Sequence, residues 1–339
     1  MNMRRNITGF LIIVLLAACT GYNWRTPVNL DKPSSKGINL KKYCDRIELL
    51  PLDEVQGLNP DLKFCVYDKG VIIQKDSFGL VRFDEKGHFQ QELKFDFIED
   101  FSTYRNQRLY VLTPGRIEMY DLNDLSYEGY LSLPDSSYIY CKVGGMDENL
   151  VAFMAIRDGR DYSGEYDFEE RKFYFPADGV MQGSDAALKK VLSRSGYFYS
   201  EDHTFDYFSN SGDIFRMEDF YFLSYQWDFK HKEPLNVCVS NVQMMSRKLF
   251  MQIETDKGDY CLITTLDEKD YPRSTKLFLN SNTPCFPVGV FYNGKNHYLC
   301  DSKDIGRYIS KELLDDEGKQ LVDSLQSVSR NVIIQYHLR

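Results

Sequence analysis

From Ile47 onward, apolar residues come in short runs cut by glycine, asparagine and aspartate. Phe64-Cys65-Val66-Tyr67, Val71-Ile72-Ile73 and Tyr260-Cys261-Leu262-Ile263 are of this kind, and such runs bounded by turn residues predict antiparallel strands. Sliding the chain by 37 positions lays residues 71–84 on 108–121, and both copies read strand, tight turn, strand, aromatic-Asp (Phe83-Asp84, Tyr120-Asp121). With the preceding runs at 64–67 and 101–104 the repeating unit has four strands, the requirement of a propeller blade. Further units fall at 138–175, 205–227, 242–279 and from 288 on, so the expectation is an all-β, six-bladed β-propeller. Residues 157–171 read as a long insertion within the third unit. The last unit is interrupted over 304–325, where Leu313, Leu314, Leu321 and Leu325 have helical spacing. Val332-Ile333-Ile334-Gln335-Tyr336 then reads as a strand. Placed beside Ile47-Glu48-Leu49-Leu50, it would close the ring and remove its open edge. A short helix is expected at 184–192, capped by Ser184, with Leu188 and Leu192 packing on a sheet.

The start of the chain has a different grammar. Arg4 and Arg5 precede an apolar run at 10–16 and Leu16-Ala17-Ala18-Cys19, which is a charged start, a short apolar core and small residues before a cut site. The run is shorter than the roughly 20 apolar residues that a spanning helix needs. The division expected is a signal peptide at 1–18, a lipidated Cys19 with a flexible tether at 19–45, and a propeller domain at 46–339. Thr26-Pro27 and Asp31-Lys32-Pro33-Ser34-Ser35-Lys36-Gly37 give the tether its reading.

Composition narrows the partners. Aromatic residues make up 14% of the chain, which favours pleated surfaces, and the formal charge of −9 without a basic cluster excludes a nucleic-acid footprint. Lipidation of Cys19 would leave seven of eight cysteines, an odd number that cannot all pair within one chain. Cys285 and Cys300 could pair across a hairpin, but most of the seven read as small buried hydrophobes. With no CxxC and five scattered histidines, neither a zinc site nor a cofactor is called for.

Cys19, the run at 47–52, the units Phe83-Asp84…Gly87 and Tyr120-Asp121, and the helix before a last strand together resemble the six-bladed, TolB-like or NHL-like propeller lipoproteins of Gram-negative cell envelopes. The resemblance implies an outer-membrane lipoprotein, facing the periplasm or the cell surface, and says little about activity.

Candidate chemistry sits on loops. The stretch 157–171 mixes Arg157, Arg160, Tyr162 and Tyr166 with Asp161 and other carboxylates, a composition suited to stacking on and hydrogen-bonding a glycan or peptide. Asp158, Asp161, Glu165 and Asp167 do not have EF-hand spacing. His203 and Trp227 flank the fourth unit and could line a pocket, although such residues are more often packing. No nucleophile elbow and no HExxH motif is present. The expected function is ligand or envelope-protein binding without catalysis. A glycan-acting hydrolase or lyase and a structural envelope scaffold are the alternatives.

Overall fold

The computed structural model of the chain describes residues 25–339 other than 60–62, 105–106, 147–148, 193–195, 200–204, 210–213, 218–220 and 268–271. The expected signal and Cys19 lie outside the described residues. Two strands, β1 (Arg25–Asn29) and β2 (Cys44–Pro51), precede the first blade. Blade 1 holds β3 (Phe64–Tyr67), β4 (Gly70–Asp76), β5 (Gly79–Asp84) and β6 (Phe89–Lys94). Blade 2 holds β7 (Asp100–Tyr104), β8 (Arg108–Thr113), β9 (Arg116–Asp121) and β10 (Tyr127–Ser132). Blade 3 holds β11 (Ile139–Gly145), β12 (Leu150–Arg157), β13 (Arg160–Asp167) and β14 (Lys172–Gln182), and is followed by α1 (Asp185–Leu192).

A mixed sheet comes next, with β15 (Gly196–Tyr199), β16 (Phe205–Phe208), β17 (Ile214–Met217) and β18 (Tyr221–Lys230). Blade 4 holds β19 (Val237–Met245), β20 (Lys248–Thr255), β21 (Gly258–Leu266) and β22 (Pro272–Leu279). Blade 5 is made of β23 (Val290–Tyr292), β24 (Lys295–Asp301), β25 (Asn331–Leu338) and, from the other end of the chain, β2. Between β24 and β25 lie two 3-10 turns, Ser302–Arg307 and Lys311–Leu313, and α2 (Asp316–Leu325).

Six four-stranded antiparallel blades are expected from the sequence, and five sheets have that form. The remaining sheet departs from it because β1 adds to the outer edge of β18 as a fifth, parallel strand, with Arg25 opposite Gln226 and Asn29 opposite Lys230. First strands lie side by side around the axis: β3 beside β7 and β23, β11 beside β7, and β19 beside β15 and β23. Within a blade the strands alternate in direction, so the molecule has two faces. The upper face carries the turns joining second strands to third and the connections between sheets. The lower face carries the first-to-second and third-to-fourth turns.

Closure follows the expected pairing: Ile47 lies opposite Tyr336, Glu48 opposite Gln335, Leu49 opposite Ile334 and Leu50 opposite Ile333. Ile333 and Ile334 have no exposed surface, so each side chain yields its full transfer energy of about 1.5–3 kcal/mol, and the equally buried Tyr336 satisfies its hydroxyl on the Tyr308 carbonyl at 2.8 Å. The 37-residue repeat also has a physical basis. Asp84 Oδ1 accepts the Lys86 amide at 2.9 Å and Asp121 Oδ1 accepts the Asn123 amide at 2.6 Å, so both aspartates build the same side-chain turn. Gly70, at φ +140°, is required by close approach, since a Cβ there would lie 2.0 Å from the Phe83 carbonyl oxygen.

Two expectations fail on packing grounds. Residues 25–45 are not a flexible tether: Val28, Leu30, Ile38 and Leu40 are 3%, 1%, 2% and 2% exposed, and they fasten the segment across the rims of the mixed sheet and blades 4 and 5. The Leu30 amide donates to the Lys230 carbonyl at 2.8 Å, and the Ile38 amide donates to the Pro284 carbonyl at 3.1 Å. Residues 157–171 are not an insertion either. Arg160–Asp167 is the third strand of blade 3, in one-to-one register with β12 from Leu150–Asp167 to Arg157–Arg160.

All seven described cysteines are free, so the Cys285–Cys300 bridge is not formed. Cys285 Sγ instead donates to the Arg307 carbonyl at 3.4 Å. Cys44, Cys141, Cys261, Cys285 and Cys300 are buried, and burial pushes the Cys44, Cys141 and Cys300 thiols up to about 12 and Cys285 to about 11. The helix after blade 3 is as expected: the Ala187 amide donates to Ser184 Oγ at 3.3 Å, and Leu188 and Leu192 pack on Ala152 and Ile156.

Candidate functional site

A cleft of about 300 Å³ opens on the upper face where blade 2 meets blade 3. Its walls are the β8–β9 turn (Pro114, Gly115), the β10–β11 connection (Leu133, Asp135, Tyr138) and Glu99 and Tyr140 at the heads of β7 and β11. Arg157, the last residue of β12, borders it. Its guanidinium stacks 4.1 Å from the Tyr138 ring centroid and 5.4 Å from that of Tyr162, and Nη1 lies 3.5 Å from Asp135 Oδ2. Tyr138 and Tyr162 meet edge to face at 5.2 Å. The neighbouring carboxylate is also held, with Glu99 accepting from Lys189 Nζ of α1 at 2.7 Å. Asp185 Oδ1 accepts the Gly159 amide at 2.9 Å, which ties α1 to the β12–β13 turn.

The predicted residues divide. Arg157 and Tyr162 come together at this cleft, and Arg160 sits opposite Arg157 across the β12–β13 turn with an exposed side chain. Asp161 is 6% exposed and turned into the blade. Tyr166 is at the far end of β13, where its ring packs 4.6 Å from Phe173 and 5.1 Å from Phe168. Trp227 is 5% exposed in the apolar cluster with Val28, Leu30 and Val242, so it packs beneath β1 instead of lining a pocket. His203 lies outside the described residues. Asp158, Asp161, Glu165 and Asp167 are strung along the β12–β13 turn and β13, and no group of three or more metal-ligating side chains is gathered among the described residues.

Deeper, near the axis, Asp100 at the head of β7 is 5% exposed and faces two lysines. Lys63 Nζ is 2.8 Å from Oδ1, Lys142 Nζ is 4.0 Å from the same oxygen, and Oδ2 accepts the Val143 amide at 3.0 Å. Burial opposes ionisation of Asp100, but the two ammonium groups and these hydrogen bonds outweigh it and hold the carboxyl below its ordinary range. Burial, with help from the Lys63 charge, holds Lys142 below the ordinary lysine value. A carboxylate in this state accepts hydrogen bonds and does not donate a proton.

The lower face carries a second depression of about 340 Å³ between blades 5 and 1, with Glu48, Asp68, Lys295 and His297 in its lining. Its polar groups are engaged with one another. Tyr292 donates to Asp68 at 2.6 Å, Lys295 to Glu48 at 3.0 Å, and His337 Nε2 lies 2.7 Å from Glu48. Burial pushes His297 down to about 4, so it is neutral.

Neither the cleft residues Asp135 and Tyr138 nor the Lys63-Asp100-Lys142 group is marked in the sequence, because the first two meet Arg157 and Tyr162 only through the fold and the three charged groups come from different blades. Lys63, Asp100 and Tyr138 share one local signal, a position at the head of a first strand.

No protein-family model and no curated protein matches the chain. Among solved structures, the chain is similar to a Bacteroides fragilis protein named as exported, with a TM-score of 0.62 and 11% identity over 93% of this chain and 100% of that one. It is also similar to virginiamycin B lyase from Staphylococcus aureus, with a TM-score of 0.46 and 12% identity over 75% of this chain and 81% of that one. At these identities the likeness is one of fold. The β-propeller architecture is shared, whereas the expected membership of a TolB-like lipoprotein family finds no match. No helix among the described residues is long and apolar enough to cross a membrane.

Proposed function

We propose that this protein is an exported, lipid-anchored propeller that binds a glycan or peptide of the cell envelope on its upper face and performs no chemistry. The reading rests on one observation: Arg157, Tyr138, Tyr162 and Asp135, drawn from one inter-blade connection and two strands, form a fixed stack beside an open cleft. A guanidinium held against two tyrosine rings offers planar donors, and the rings offer apolar faces for a sugar or a peptide side chain. Asp100 is engaged by Lys63, Lys142 and the Val143 amide, which marks it as a structural anion beneath the cleft. The charged start, the apolar run at 10–16 and Ala18-Cys19 support export and attachment at Cys19, with the outer membrane as the place. Six blades, with the mixed sheet counted as the sixth, are part of the same reading.

Calorimetric titration of the purified chain with envelope oligosaccharides and with short peptides tests the proposal. Binding by one of these classes that weakens about tenfold or more in Arg157→Ala is expected, in line with a charge-assisted contact of about 1.5–3 kcal/mol. Binding that Arg157→Ala and Tyr138→Ala leave unchanged, or turnover of a bound glycan, would overturn it.

A further inference from the structure

We infer that the propeller sits with its lower face toward the lipid surface and its upper, cleft-bearing face toward the aqueous space, so that the cleft takes its ligand from the side away from the anchoring membrane. The inference rests on lipidation of Cys19. What fixes the orientation is the direction of β1. In every sheet the fourth strand runs from the lower face to the upper, because the third-to-fourth turns are on the lower face and the connections between sheets are on the upper. β18 is such a strand, and β1 pairs with it in parallel, Arg25 with Gln226 through Asn29 with Lys230.

The chain therefore enters β1 from the lower side and leaves it at the upper. The exit is confirmed by contacts of the residues just beyond it: Asp31 lies 3.0 Å from His231 Nε2 and accepts the Lys232 amide at 2.9 Å, and both partners belong to the upper connection after β18.

Length makes the direction consequential. Five residues, Thr20 to Trp24, separate Cys19 from Arg25. At most about 20 Å of extended chain can join the lipid to the start of β1. Because residues 25–45 are strapped to the ring, no slack from that segment is available to turn the molecule over. A tether of 26 flexible residues would have allowed either face to approach the bilayer, and five residues ahead of a fixed β1 do not.

The test compares two positions in one blade. Arg247 lies in the β19–β20 turn on the lower face, and Lys257 lies in the β20–β21 turn on the upper face. Both are exposed, and the eight residues of β20 put roughly 26 Å between them. The full lipidated chain carrying Arg247→p-azidophenylalanine or Lys257→p-azidophenylalanine, each coupled to the same fluorophore, is reconstituted into phosphatidylethanolamine–phosphatidylglycerol vesicles with a headgroup-linked acceptor. Energy transfer from position 247 is expected to exceed that from position 257 by about twofold or more. Equal transfer, or stronger transfer from 257, would overturn the orientation while leaving the anchor intact. Vesicle flotation of the unlabelled chain and of Cys19→Ala reads the anchor separately: loss of flotation in Cys19→Ala is expected, and flotation unchanged by that substitution would overturn the anchor reading itself.

Discussion

Leu30→Ala separates a strapped segment from a flexible one. Leu30 is 1% exposed and shares an apolar cluster with Val28, Trp227, Val242 and Leu277, and its amide donates to the Lys230 carbonyl at 2.8 Å, which extends the β1–β18 ladder by one residue. Truncation removes three buried carbons from a site enclosed by neighbouring blades that cannot collapse freely, so the cost is about 2–5 kcal/mol. For residues 20–339 this lowers the melting temperature by roughly 3–7 °C. Thermal unfolding of residues 20–339, followed by circular dichroism and tryptophan emission, measures it. The emission is informative because Trp227 lies directly under the strap and is only 5% exposed, so loosening β1 moves its fluorescence to the red. A solvated tether would show neither effect, since substitutions on an exposed segment stay within about 0.5 kcal/mol. Unchanged melting and unchanged emission in Leu30→Ala would refute the packing of the segment and with it the short reach proposed for the anchor.

Two further outcomes follow from burial. In the native chain at pH 8, Cys44, Cys141, Cys261, Cys285 and Cys300 should resist a thiol reagent while the half-buried Cys65 and Cys238 react first, with all seven reacting in denaturant. A count of fewer than seven in denaturant without reductant would reveal a disulfide. For pH, His297 is 4% exposed and its pKa falls from the ordinary 6.5 to about 4. The unfolded chain therefore binds this proton more readily, so about 3 kcal/mol of stability present above pH 6.5 is lost as pH falls from 6.5 to 4. Urea midpoints across that range should fall less steeply in His297→Gln, and parallel slopes would remove His297 as the cause.

How much of the structure is legible in the sequence depends on whether the signal is local. The closure of Ile47–Leu50 on Ile333–Tyr336 can be read because both partners are unbroken apolar runs that would otherwise expose an edge. The repeat is legible because Asp84 and Asp121 make the same turn with their own neighbours. The strap hides because its apolar residues, Val28 with Leu30 and Ile38 with Leu40, come as isolated pairs two apart among proline, lysine and serine. That spacing is the strand period, and it is the one clue that the segment lies on a surface. β13 hides for a related reason: Arg160-Asp161-Tyr162-Ser163-Gly164-Glu165 looks like loop by composition, yet it needs only backbone pairing with β12 and β14 to be a strand. Half of the candidate site, Arg157 and Tyr162, lies on the flagged stretch, while Tyr138 and Asp135 reach it from the β10–β11 connection, which only the fold brings near.

The proposed ligand surface is the upper face, at the cleft between blades 2 and 3. A photoreactive residue at Ile139, which lines the cleft and is 38% exposed, tests this most directly when illuminated in intact cells beside the same probe at Tyr127 on the outer edge of blade 2. A discrete envelope glycan or peptide adduct is expected from position 139, absent from position 127 and lost in Arg157→Ala. Equal labelling from both positions, or an adduct indifferent to Arg157, would contradict it.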